Sequence, residues 1–141
     1  MAEAREETLT GSRPKTLADF VAGALEAIEE IAPQQAKRWL DAPDRAGWYF
    51  VDVREPDEYA AGRVPGARNV PRGFLEVRAD LDHPKRDAWL ADRHRPLVLY
   101  CGGGNRSALA AQTLQEMGFA RVVSMAEGWS GWLRRGYPVE R

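Results

Sequence analysis

The 141-residue sequence predicts an α/β fold, a parallel sheet with helices on both faces. Three observations carry this expectation. From Ile31 onward, short apolar runs alternate with segments of helical pattern. The runs Trp48–Val53 and Leu97–Tyr100 are apolar nearly throughout, as strands covered on both faces must be. Glycines at 62, 118 and 136 close helical segments where a left-handed cap is wanted. The length suits one domain with a genuine core, and no internal repeat is present.

Residues 1–15 are polar, contain Gly11, Ser12 and Pro14, and read as a disordered tail. Thr16 offers an N-cap with Asp19 three residues on, a variant of the capping box. Leu17, Phe20, Val21, Leu25 and Ile28 then recur at helical spacing. They predict an extra amphipathic helix within residues 16–29, which either packs on the domain or serves a partner. The domain proper is expected over 30–141. Pro33 suits the first turn of a helix running to Leu40. Trp48–Val53 reads as a strand, Glu55–Ala61 as a short helix and Ala67–Val70 as a brief strand. Short helical pieces are expected at Phe74–Val77 and Lys85–Arg93. Leu97–Tyr100 is the expected central strand, Arg106–Met117 a helix, Arg121–Ser124 a strand and Trp129–Arg135 the last helix.

The sole cysteine, Cys101, ends the central strand and opens the turn Cys101-Gly102-Gly103-Gly104-Asn105-Arg106-Ser107. Unpaired N–H groups and the dipole of a new helix favour negative charge at such a position. Helix N-termini and nearby cations promote the thiolate, which is the nucleophile. Glycine, and next Asn105, tolerate the backbone conformations that turn successive N–H groups inward. Arg106 adds planar, forked donors suited to oxyanions. The alternative of an inert buried cysteine followed by a flexible turn does not account for all these parts in immediate succession.

Cys101–Ser107 resembles the C-x-x-G-x-R-S loop of the rhodanese (sulfurtransferase) family, with Gly104 and Arg106 in register. Phe50–Tyr59 is similar to that family's D-V-R-x-x-x-E-Y/F signature, and Gly62–Pro71 to its G-H-I/V-P-G-A-x-N-I/V-P signature. Gly128–Val139 resembles the closing G-x-x-x-W-x-x-x-G-x-P-V. These matches lie in the family's order over about residues 30–141 and correspond to a single-domain member. Two positions depart from the pattern. Arg63 stands where the family has a histidine that is usually structural. Glu127 replaces the first of a Gly-Gly pair, which either alters the last loop's backbone or places a carboxylate near the site mouth.

The resemblance implies a three-layer fold around a parallel sheet of about five strands. It also implies sulfane-sulfur transfer from a donor such as thiosulfate, through a Cys101 persulfide, to cyanide or a thiol. A sulfur-carrier protein is a further partner it allows, and no cofactor is required. In open α/β sheets ligands bind beyond the carboxyl ends of the strands. That rule gathers Cys101, the Asp52–Arg54 segment and the Glu127–Trp129 turn. The amides of Gly102, Gly103, Gly104, Asn105 and Ser107 are expected around the bound anion. Arg106 either holds the donor's charged end or caps loop carbonyls. Ser107 caps the helix, hydrogen-bonds the sulfur, or does both. Arg72 either adds a cation at the rim or is a solvated surface residue. Asp52 and Arg54 are read as a supporting network tying the strand end to neighbouring loops. Trp132 is assigned to the core, whereas Trp129 walls the site.

His83 and His94 are read as surface residues, and no segment resembles a metal-ligand cluster. A formal net charge of −1 argues against a general nucleic-acid surface. The N-terminus lacks the apolar core of a signal peptide, and no apolar run approaches membrane-spanning length. One cysteine cannot form an internal disulfide, which suits a reducing compartment, with the cytoplasm as the default. Phosphatase or arsenate-reductase chemistry is the nearest rival, but it uses C-x-x-x-x-x-R. Here Arg106 stands five positions after Cys101, not six. A second rival, a rhodanese-fold interaction module without turnover, sits poorly with retention of both Cys101 and Arg106.

Overall fold

The computed structural model describes residues 13–141. The tail expected over residues 1–15 therefore falls mostly outside the described residues. Helix α1 spans Leu17–Ala27. Thr16 Oγ1 accepts from the Asp19 N–H at 3.2 Å, and the Asp19 carboxylate accepts from the Thr16 N–H at 2.8 Å. This closes the capping box. Arg13, bonded to both Asp19 oxygens, leads in pulling the Asp19 pKa down to about 2, with help from Thr16. The helix stops short of the expected Glu29 because Glu29–Ile31 leaves it as strand β1, paired with Val123–Met125. Helix α2 follows over Pro33–Asp41.

The remaining strands are β2 (Tyr49–Asp52), β3 (Arg68–Asn69), β4 (Leu97–Tyr100) and β5 (Val122–Met125). All four pairings are parallel, in the order β1-β5-β4-β2-β3, which places β4 at the centre as expected. The other helices are α3 (Pro56–Ala61), α4 (Leu75–Ala79), α5 (Asn105–Glu116) and α6 (Gly128–Arg134). Lys85–Arg93 forms turns rather than the expected helical piece. There the Asp87 carboxylate caps the N–H groups of Trp89 and Leu90, and a single helical bond, from the Ala91 N–H to the Asp87 carbonyl at 2.8 Å, closes one turn that does not continue. The loop before β2 also contains a left-handed turn, with Asp44, Arg45 and Ala46 at φ 52–53°. Arg45 holds it by donating to the Trp48 carbonyl and covering the Tyr49 ring.

Side-chain alternation along β4 divides the core into two layers. Leu97, Leu99 and Cys101 face a cluster with Ala110, Ala111 and Leu114 of α5 and Leu75 of α4. Val98 and Tyr100 face the opposite cluster with Ala36 of α2 and Trp132 of α6. Helix α1 packs on α5 through the fully buried Ala24. Its Leu17, Phe20 and Leu25 remain exposed. Among the described residues no helix is long and apolar enough to cross a membrane.

Candidate active site

The winding direction changes around β4, since β2 leads outward to β3 and β4 leads the other way to β5. Such a switch opens a crevice at the strands' carboxyl ends. Cys101 leaves β4 there and is buried. The Gly104 N–H donates to Sγ at 3.1 Å and the Ser107 N–H at 3.3 Å. Gly104 makes this geometry at φ +110°, as the residue immediately before α5. The N-terminal end of α5 thus points its donors and its dipole at the sulfur. Ser107 lies inside the first turn, not at the cap. Its hydroxyl lies 3.5 Å from Sγ, donates to the Gly104 carbonyl at 3.2 Å, and meets Ser124 Oγ at 2.8 Å. Ser124 on β5 is a member of this buried group that sequence reading missed.

Gly102 is half-buried, and Gly103 and Asn105 lie exposed at the loop surface. The N–H groups of Gly103, Asn105 and Arg106 make no hydrogen bond to the described residues. The Arg106 guanidinium caps no loop carbonyl. It pairs with Glu58 of α3 at 2.9 and 3.4 Å. Arg106 leads in holding the Glu58 carboxyl below the ordinary carboxylate range, against the opposing effect of burial. Glu58 in turn raises the Arg106 pKa. Glu58 also accepts from the Glu55 N–H at 2.9 Å, so one carboxylate both caps α3 and restrains the loop arginine.

Beneath the loop, Asp52 and Arg54 form the expected network. Arg54 Nη2 lies 2.7 Å from Asp52 Oδ2, with side chains 4% and 0% exposed. Nε reaches both Asp52 oxygens, and Nη2 also donates to the Gly62 carbonyl at 2.7 Å. Burial works against the Arg54 charge, but Asp52 more than offsets it and the pKa is raised. Asn69 donates to the carbonyls of both Asp52 and Arg54, tying β3 to this strand end. The Tyr100 hydroxyl accepts from the Val64 N–H at 3.1 Å. Burial, reinforced by the Asp52 charge, pushes that phenol far up.

Helix α6 completes the site from above. Its first amides reach into the cysteine loop: the Trp129 N–H donates to the Cys101 carbonyl at 2.7 Å, and Ser130 N–H to the Gly102 carbonyl at 3.0 Å. Only glycine fits at 128, since a Cβ there would lie 2.3 Å from the Cys101 oxygen. Trp129 stacks on Tyr100 at 6.3 Å and covers Arg54 at 4.9 Å, while Trp132 is fully buried. Glu127 retains the left-handed backbone, at φ 63°, that suits glycine. Its carboxylate turns to Arg134 and Arg135 instead of the cysteine loop.

Arg72 is not gathered into the cradle. It bonds Glu76 at 3.0 Å and Thr113 at 3.1 Å. Thr113 lies six residues beyond Ser107 on α5, about 9 Å along the helix axis. Arg63 clamps the C-terminal segment, with its guanidinium 2.9 Å from the Glu140 carboxylate. The Gly66 N–H, followed by Arg63, lowers the Glu140 pKa. Glu58 was visible in the sequence as the acidic position of the Phe50–Tyr59 signature, but its partner lies 48 residues away.

Comparison with known proteins agrees with this architecture. The family model of the rhodanese-like domain matches residues 32–135. A thiosulfate sulfurtransferase GlpE of Stutzerimonas stutzeri is 34% identical over 116 residues, covering 80% of this chain and 91% of that protein. A putative sulfur carrier protein YrkF of Bacillus subtilis is 28% identical over 106 residues, covering 75% of this chain. The match spans only 51% of that protein's length. Among solved structures, a protein of unknown function and possible tyrosine phosphatase from Rhodopseudomonas palustris superposes with a TM-score of 0.83. It is 30% identical and covers 92% of this chain and 100% of its own. The strand order, the cysteine loop at the end of β4 and these matches together establish that the chain belongs to the rhodanese-like domain family.

Proposed function

We propose that this protein is a sulfurtransferase in which Cys101 carries sulfane sulfur as a persulfide. The observation that carries the reading is the sulfur itself, held by two amides at the N-terminal end of α5 with Arg106 beside it. In the first step the Cys101 thiolate attacks the outer sulfur of a donor such as thiosulfate. The S–S bond breaks, its electron pair leaves with sulfite, and Cys101 retains the persulfide. In the second step cyanide or a thiol attacks the outer persulfide sulfur and the Cys101 thiolate departs. The covalent persulfide is the sole carrier, no cofactor takes part, and the kinetics are ping-pong. The loop amides without hydrogen-bond partners among the described residues supply donors for the negative charge on the added sulfur.

The chain's one cysteine leaves the persulfide with no internal thiol to resolve it, so the acceptor is external. A small thiol or the thiol of a sulfur-carrier protein fits that role. The names of the sulfurtransferase and sulfur-carrier relatives support the reading. A reducing compartment such as the cytoplasm would keep Cys101 free.

The possible tyrosine phosphatase among the solved structures supports a second reading, phosphoester hydrolysis. The loop argues against it, because Arg106 arrives five positions after Cys101 and the shorter turn leaves less room for a tetrahedral phosphoryl group. Incubation with excess thiosulfate followed by intact-mass measurement separates the two. We expect one added sulfur on Cys101 and release of thiocyanate on adding cyanide, both absent in Cys101→Ser. Thiocyanate formation surviving that substitution would overturn the mechanism. Hydrolysis of an aryl phosphate without sulfur transfer would establish the rival.

A further inference from the structure

Resting on the sulfurtransferase reading, we infer that Glu58 is a specificity-determining residue that biases the site toward organic persulfides and against the thiosulfate dianion. The cysteine loop contributes one cation, Arg106, and Glu58 already pairs with it at 2.9 Å. The strand-end cation Arg54 is buried and paired with Asp52. Arg72 and Arg63 are paired with Glu76 and Glu140. Glycines at 102 and 103 bring no charge and leave the mouth open. A Cβ on Gly103 would touch nothing within 4 Å, and one on Gly102 only Arg106 Nη2 at 3.0 Å. The mouth therefore offers hydrogen-bond donors with its positive charge already compensated.

Two donors place different demands on such a mouth. Thiosulfate brings two negative charges up to a thiolate, beside the Glu58 carboxylate. An organic hydropersulfide, R–S–SH, brings none in its reactive form. Cys101 attacks its outer sulfur, the S–S bond breaks, the electron pair leaves on R–S, and the proton passes to that thiolate. No oxidant or reductant is needed. The repulsion contributed by Glu58 thus falls on thiosulfate alone.

The test compares single-turnover loading of Cys101 by thiosulfate and by 2-hydroxyethyl hydropersulfide in the wild type and Glu58→Gln. The amide keeps an oxygen to accept the Glu55 N–H, so the α3 cap persists. We expect the substitution to raise thiosulfate loading at least about tenfold, the effect of removing one unit charge roughly 6 Å from a dianion even at the dielectric of bulk water. Loading by the hydropersulfide should stay within about twofold, because it brings no net charge to the mouth. Hydropersulfides are intrinsically fast donors, so the change in the ratio of the two rates decides the matter. An unchanged ratio in Glu58→Gln overturns the inference while leaving sulfur transfer intact. Failure of both donors to load Cys101 removes the sulfurtransferase reading and this inference with it.

Discussion

Replacing Gly128 with alanine tests the docking of α6 on the cysteine loop. The new Cβ would lie 2.3 Å from the Cys101 oxygen and 2.9 Å from both the carbon and the oxygen of Gly102. These are backbone atoms, so relief requires the helix and the loop to separate. Separation breaks the bonds from Trp129 N–H to Cys101 and from Ser130 N–H to Gly102, at 2.7 and 3.0 Å. Leaving a buried carbonyl without its donor costs about 1–3 kcal/mol each, and alanine at φ +54° adds about 1–2 kcal/mol. The total, about 3–8 kcal/mol, is a large part of the roughly 5–15 kcal/mol that stabilises a typical domain. Urea unfolding followed by tryptophan fluorescence measures it, with Cys101 loading assayed in the same samples. Gly103→Ala is the control, since its Cβ meets nothing, and should cost less than about 1 kcal/mol. A Gly128→Ala protein within about 1 kcal/mol of wild type, loading sulfur at the wild-type rate, would refute the reasoning.

Asp52→Ala strands the Arg54 guanidinium in the interior and should cost about 3–5 kcal/mol in chemical denaturation; a loss below about 1 kcal/mol would contradict the network described. The Glu58 carboxyl should titrate below its ordinary value of about 4.3 by carbon NMR and move upward in Arg106→Gln. Because its folded pKa is depressed, its contribution to stability is present above that ordinary value and fades as pH falls through the folded value; an unshifted titration would remove the pair. Glu127→Gly relieves about 1–2 kcal/mol of left-handed strain and forfeits exposed ion pairs to Arg134 and Arg135 that salt screens. The glycine variant should gain stability relative to the wild type as salt rises, so a salt-independent difference would contradict this balance.

What was legible in the sequence was local. The β4 run, the cysteine turn and the glycine after α5 each announce themselves within a few residues, and they place Cys101 at the centre of the sheet. Strand β1 was not legible because it is a three-residue edge segment whose two glutamates are exposed and whose pairing with β5 is remote. Its neighbours Leu25 and Ile28 extended a helical rhythm that the strand interrupts. Lys85–Arg93 misled because the turn that Asp87 caps closes one helical bond, to the Ala91 N–H, and stops. Arg72 and Arg106 show the limit for charges. Each was visible as a cation, but the Thr113 and Glu58 that hold them lie 41 and 48 residues away. Ser124 carried no signal, since a lone serine in a strand gives no sign of a hydroxyl partner on a helix.

The clamp of α6 on the Cys101 turn bears on the order in which the chain is made. Cys101, Arg106 and the whole of α5 are synthesised before Gly128, yet the carbonyls of Cys101 and Gly102 receive their donors from Trp129 and Ser130. A nascent or truncated chain ending before those residues would hold every group of the loop motif without the geometry that makes it a cradle. The Cys101 turn is thereby completed late, only once α6 has docked on it.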